Sequence, residues 1–191
     1  LALGFPIERV EVSKEKSIVY HPEYKGVRLD VYAKNEHNTR YNVEMQVAKK
    51  AELGKRVRYY HGQIDMELLL SGSDYTELPE VYVIFICDFD PFGKKKYRYT
   101  FTKQCEEEPG AQLQEGCKSI FLSTRGENDR EVPGELVSFL NFVKADLSES
   151  ETDFEDDFVE KLQNTIRRIK SNREMEERFM IFEEMLRDER A

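Results

Sequence analysis

Apolar positions along this chain follow two periods, and the switch between them marks out the elements. Residues 7 to 18, IERVEVSKEKSI, offer alternating, partly exposed positions, and HPEYKG then turns. VRLDVYAK is a strand by its β-branched and aromatic content. NEHN supplies a hairpin turn and RYNVEMQVA the return strand. From 50 to 71 the period lengthens. Leu53, Val57, Tyr60, Ile64 and Leu68 recur at steps of three and four, which predicts an amphipathic helix ended by Gly72. EVYVIFICDFD is nearly continuous in apolar residues, so it predicts a central strand buried on both faces. PFGKKK reads as a turn, YRYTFTKQC as an alternating strand, EEEPGAQLQEG as a loop, KSIFLST as a strand and GELVSFLNFVK as a helix.

Residues 146 to 160 carry eight acids and no base, which predicts a solvated linker running into a helix. Phe154, Phe158, Leu162, Ile166 and Ile169 continue a helical stripe, and Met175, Phe179, Phe182 and Met185 resume it after Ser171 and Asn172. Such a stripe is core or helix-pair packing, and its length allows a homodimer contact. The order of elements predicts an α/β fold, a mixed β-sheet flanked by helices with a C-terminal helical extension. A domain over 1–145 and an acidic linker plus helix over 146–191 follow from it.

The length of 191 residues suffices for one domain with a real core. Acids outnumber bases 38 to 29, a net charge of −9, so affinity for nucleic acid would have to come from a local basic patch. Cys87, Cys105 and Cys117 are odd in number and lack metal-ligand spacing, which argues against a disulfide framework and for a reducing cytoplasm. The strongly apolar run VYVIFIC is too short to span a bilayer. LALGFPIERV reads as the end of a helix leaving for a loop, which predicts that the natural protein continues upstream of Leu1.

The hairpin carries three residues that suit a sheet poorly: Asp30, Glu44 and Gln46. Residues 44 and 46 lie two apart on one strand and share a face. With a turn at 35 to 38, Asp30 approaches Glu44 across the pair or diagonally. Carboxylates that close repel and share a proton unless a cation lies between them. A hard ion that keeps waters, Mg²⁺ or Mn²⁺, suits such oxygens, and the backbone carbonyl of Met45 could add a ligand. The same spacing also fits two acids on the solvated face of an edge hairpin. As exposed acids beside each other, neither would be a stability asset.

The blocks VRLDVYAK, RYNVEMQ, KRVRYYHGQIDMELL and YVIFICDFDPFGKKKYRYTF, in this order and spacing, resemble the PD-(D/E)XK nuclease family transposases, also called recombination-promoting nucleases. The resemblance covers about residues 5 to 145. It implies a restriction-endonuclease-like core and divalent-metal-dependent cleavage of DNA. It places the metal-binding acids at Asp30 and Glu44, with Gln46 in the slot that the superfamily usually fills with lysine. Gln46 hydrogen-bonds but brings no charge, and Lys49, Lys50 or Lys55 would have to supply it from nearby. Members of the family normally begin with a helix packed on the core, and the chain starts near the end of that helix.

Lys49, Lys50, Lys55, Arg56, Arg58 and Tyr59 gather at the start of the helix after the Glu44 strand, a surface suited to phosphates or an ordinary charged face. GKKKYRY is better read as a charged hairpin tip, and DFDPFG as a strand end with its turn. His21, His37 and His61 show no ligand or triad spacing and read as surface or core-edge residues. The leading expectation is a Mg²⁺- or Mn²⁺-dependent DNA endonuclease. The alternatives are a nuclease-fold binding module with weak cleavage, and an RNA-directed defence or toxin nuclease.

Overall fold

The computed structural model describes residues 3, 7, 9–18, 25, 27–49, 51–146 and 148–170. Six strands form one mixed sheet: β1 (Val10–Ile18), β2 (Val27–Asn35), β3 (Arg40–Gln46), β4 (Val81–Cys87), β5 (Arg98–Phe101) and β6 (Cys117–Ser123). Across the sheet they run β1-β2-β3-β4-β6-β5. β1, β2 and β3 pair antiparallel, β3–β4 and β4–β6 pair parallel, and β5 closes the far edge antiparallel to β6. The helices are α1 (Leu53–Leu68), α2 (Gly134–Lys144) and α3 (Asp157–Lys170).

The apolar run VYVIFIC is the centre of the molecule because both of its faces are covered. All seven residues of β4 are buried. Val81, Val83, Phe85 and Cys87 enter one core with Leu53, Val57, Tyr60 and Ile64 of α1. Tyr82, Ile84 and Ile86 enter a second core with Leu136 and Leu140 of α2. The period-2 strand thus feeds two helices at once, giving three layers, α1 over the sheet over α2. Phe85 is fully buried and stacks on Tyr60 and Phe121 at 6.1 and 5.5 Å between centroids. Truncating such a side chain to Ala costs about 3–5 kcal/mol.

Two elements have other bounds than the sequence reading gives them, and a third buries other positions. The helix expected over 50–71 spans only Leu53–Leu68, because Glu52 takes a left-handed φ of 68° and Leu69 is extended. Gly72, with φ 91°, serves the turn beyond it. The long alternating strand expected over YRYTFTKQC is only Arg98–Phe101, an edge strand half-exposed or exposed throughout. Its four residues pair with Leu122 to Ser119, and the polar residues that follow have no face to bury. In α3 the buried positions are Val159 and Gln163, whereas Phe158, Leu162, Ile166 and Ile169 are half-buried or exposed.

The acidic stretch is folded on the α2 side. Its acids are mostly exposed, while Phe154 meets Phe142 and Phe158 meets Phe139 at 5.6 and 6.1 Å between centroids. The Gln163 amide donates to the carbonyls of Ser150 and Thr152 at 2.8 and 2.7 Å. That pairing explains why a polar residue holds a buried position in the helix. Met175, Phe179, Phe182 and Met185 lie outside the described residues, as do His21 and Lys50.

Candidate active site

The hairpin pairs Val31 with Val43 and Lys34 with Arg40, and its ladder ends at Val31. There β2 slips phase. Leu29 and Tyr32 both enter the α1-side core although they stand three positions apart, and Asp30 and Val31 between them are both exposed. Regular alternation would have put Leu29 and Tyr32 on opposite faces. Where backbone pairing stops, side chains take over. The Asp30 N–H donates to Glu44 Oε1 at 3.3 Å, and the Met45 N–H donates to Asp30 Oδ2 at 3.4 Å.

Glu44 and Gln46 fall on the α1 face of β3, level with Phe85 and Cys87 of β4. Both are buried, Glu44 only 1% exposed. This corrects the expectation of two exposed acids: Asp30 is exposed and Glu44 lies inside, because α1 closes over the end of β3. Glu44 Oε1 also accepts from Asn42 Nδ2 at 3.1 Å. Its Oε2 faces the Arg56 guanidinium, with Nη2 at 3.2 Å. Arg56 Nη1 donates to Gln46 Oε1 at 2.7 Å and Nε to the Tyr60 hydroxyl at 3.0 Å. The Gln46 amide nitrogen in turn donates to the Met45 carbonyl at 2.7 Å.

Burial, and after it the charge of Asp30, push the Glu44 carboxyl above its ordinary pKa, against the pull of Asn42, the Asp30 N–H and Arg56. A buried carboxylate whose proton affinity is raised by a neighbouring acid is short of positive charge, which is the chemistry a divalent cation relieves. Asp30 and Glu44 bring hard oxygen donors of the kind such an ion takes, while the Met45 carbonyl is engaged by the Gln46 amide. Among the described residues no group of three or more His, Cys, Asp or Glu could hold a metal, so the fit rests on this pair.

The basic residues of the α1 end divide. Lys49, Lys55 and Arg58 are exposed, and Lys55 pairs with Glu52 at 3.0 Å. The Tyr59 hydroxyl donates to the Lys25 carbonyl. Among the described bases of this end, Arg56 alone turns to Glu44 and Gln46. Sequence reasoning missed Asn42 and Tyr60 as parts of the site. Asn42 lies two residues before Glu44 and shares its face, a signal available from alternation, whereas Tyr60 looked like one more apolar stripe residue.

The neighbouring strand ends add a rim. The Asp88 N–H donates to the Gln46 carbonyl at 2.9 Å, and Asp88 Oδ1 takes the Thr124 hydroxyl at 2.8 Å and Arg125 Nη2 at 3.3 Å. Asp90 shapes the following turn, as the DFDPFG reading expects, accepting from the Phe92 and Lys95 N–H groups at 3.1 and 2.7 Å. Lys95 and Lys96 are tied to Glu127 and Glu131, which suits a charged hairpin tip. His61 is a core-edge residue within 3.2 Å of the Ser119 hydroxyl. The three cysteines are free.

A mixed sheet between helices, with acids where β2 and β3 part, is consistent with the restriction-endonuclease-like fold. The family model for the PD-(D/E)XK nuclease family transposases matches residues 4–191, and the chain belongs to that family. The match extends through the C-terminal segment, which the sequence motifs did not reach. A search of curated proteins gives no match.

Proposed function

We propose that the protein is a divalent-metal-dependent endonuclease that hydrolyses phosphodiester bonds in DNA, in a transposition- or recombination-linked role. The observation that carries the reading is the placement of Asp30 and Glu44 beside each other, with burial first and the charge of Asp30 second raising the Glu44 pKa. Asp30 and Glu44, with the Met45 carbonyl, would hold Mg²⁺ or Mn²⁺. Bound there, the ion would lower the pKa of a water and offset charge on the phosphate. Asn42 and the Asp30 N–H hold the Glu44 carboxylate in one orientation, and Gln46 orients the nucleophile or the phosphate. Lys49, Lys50, Lys55, Arg58 and Tyr59 would form the surface that meets the backbone of the substrate.

Residues 1–145 would carry the nuclease domain and 146–191 an extension of it, in a cytoplasmic protein. No helix among the described residues is long and apolar enough to cross a membrane. A homodimer through the C-terminal helix is part of the same proposal.

A second reading, a nuclease-fold binding module with weak cleavage, draws on Arg56, which already places a positive charge against Glu44. The experiment that separates them is plasmid cleavage by the purified full chain in Mg²⁺, Mn²⁺ and EDTA. Cleavage that needs the metal and is lost in Glu44→Ala supports the nuclease. DNA binding without cleavage supports the module, and cleavage of RNA alone would redirect the proposal to an RNA substrate.

A further inference from the structure

Hydrolysis of a phosphodiester builds negative charge on the phosphate oxygens, and a fixed positive charge beside the metal adds to the stabilisation of that charge. Gln46 brings none. Lys49 and Lys55 are exposed, and Lys55 is engaged with Glu52. We infer that Arg56 is the catalytic cation of this site, supplying from α1 the charge that position 46 of β3 lacks. The inference rests on the nuclease reading and deepens it.

Three side chains fix the guanidinium. Glu44, Gln46 and Tyr60 take one donor each, from Nη2, Nη1 and Nε. The group also lies over the rings of Tyr60 and Phe85, at 5.2 and 5.4 Å from their centroids. A planar fork held at its edges and on its face has little freedom left to lose. Guanidinium carries five N–H donors, and the bonds to described residues use three. The remaining two suit phosphate oxygens, to which arginine binds in bidentate fashion. The side chain is 31% exposed, so its charge is partly withdrawn from water and still reachable.

Position 46 fits this assignment. The Gln46 amide is oriented by the Met45 carbonyl, which takes its nitrogen and turns its oxygen to Arg56. Residue 46 therefore acts as an acceptor for a cation from the helix. A lysine there would set a second positive charge against Arg56 and remove the acceptor. The two positions are complementary: one charge between them, carried by α1.

The test uses the full chain as wild type, Arg56→Gln, Gln46→Lys and the double variant. It measures Mn²⁺ affinity by calorimetry, urea unfolding, and plasmid cleavage at saturating Mn²⁺. Arg56→Gln is expected to fold and to bind Mn²⁺ at least as tightly, because a competing cation has left Glu44. Its cleavage rate should fall about 100-fold, the scale of losing one charge-stabilising donor. Gln46→Lys alone should be impaired, and Gln46→Lys/Arg56→Gln should exceed Arg56→Gln by about tenfold or more. Cleavage by Arg56→Gln within about threefold of wild type overturns the inference. So does a loss of Mn²⁺ affinity that accounts for the loss of rate, which would make Arg56 only a support for Glu44. A double variant no better than Arg56→Gln also counts against it. In each of these cases wild type still cleaves, and the nuclease reading stands. Wild type that fails to cleave in Mn²⁺ overturns that reading and takes the inference with it.

Discussion

The backbone N–H of Asp30 reaches Oε1 of Glu44 at 3.3 Å at the point where β2 and β3 stop pairing. The contact joins an exposed acid to a buried one, so the two should respond differently to substitution. Asp30→Ala is expected to fold with stability within about 0.5 kcal/mol of wild type. Glu44→Ala takes an acceptor from Asn42 Nδ2, the Asp30 N–H and Arg56 Nη2 and should cost about 1–3 kcal/mol. Both should abolish Mn²⁺ binding and cleavage. Urea unfolding with Mn²⁺ calorimetry checks this, and cleavage by either variant at wild-type rate would remove the pair from the site.

The exposed bases of α1 make a separate prediction. Lys55 and Arg58 face solvent, while the acidic stretch packs on α2 across the sheet. The chain carries net charge −9, so attraction to a backbone must be local. Lys55→Ala/Arg58→Ala should lower the slope of log affinity against log salt by about two and weaken binding evenly across sequences. Fluorescence anisotropy with a labelled DNA duplex over a range of salt measures it. An unchanged slope would make these residues a solvated helix face.

Acid should destabilise the fold through His61. Burial lowers its pKa from the ordinary 6.5 to about 4, with Glu115 raising it and Lys103 lowering it by smaller amounts. Above about 6.5 both states are neutral and His61 contributes nothing. As pH falls towards 4 the unfolded chain takes up the proton and the native chain does not. Stability therefore drops across that window, by at most roughly 3 kcal/mol. Chemical denaturation between pH 4 and pH 7 should show a shallower slope for His61→Asn than for wild type, and equal slopes would assign the loss to other groups.

Gly126 is set by contact. A Cβ there would lie 2.3 Å from Cγ of Tyr97, whose ring is buried in the α2-side core. The Tyr97 hydroxyl donates to Asp129 Oδ1 at 3.0 Å and its backbone N–H to Asn128 Oδ1 at 2.8 Å, so the ring is tied at its tip and cannot swing aside freely. Gly126→Ala should lower stability by about 1–3 kcal/mol. Gly62→Ala, with no heavy atom within 4 Å of its Cβ and a place inside α1, should instead gain up to about 1 kcal/mol. Thermal unfolding of the two variants decides it.

The period of apolar residues by itself determined the hairpin, α1, the buried β4 and the bounds of α2. Burial on one or two faces writes itself into alternation and into steps of three and four. It also placed Glu44 and Gln46 on one face, since alternation is a local property of any strand. The ends of elements were less legible. The left-handed Glu52 and the short edge strand β5 depend on what covers each segment, and no residue type announces that.

Only the tertiary structure decided which acid is buried. Asp30 and Glu44 read alike as acids on a hairpin, and they differ because α1 closes over the end of β3 while β2 peels away. The same closure chose Arg56 from a row of bases. Lys55, Arg56 and Arg58 are equivalent in composition, but one turn of a helix sends each in its own direction. Which direction meets a carboxylate depends on how α1 lies across β3 and β4. That angle comes from the packing of Val57, Tyr60 and Ile64 against Phe85, contacts between segments distant in sequence. A local pattern records which side of an element is buried, and it carries no record of what stands opposite.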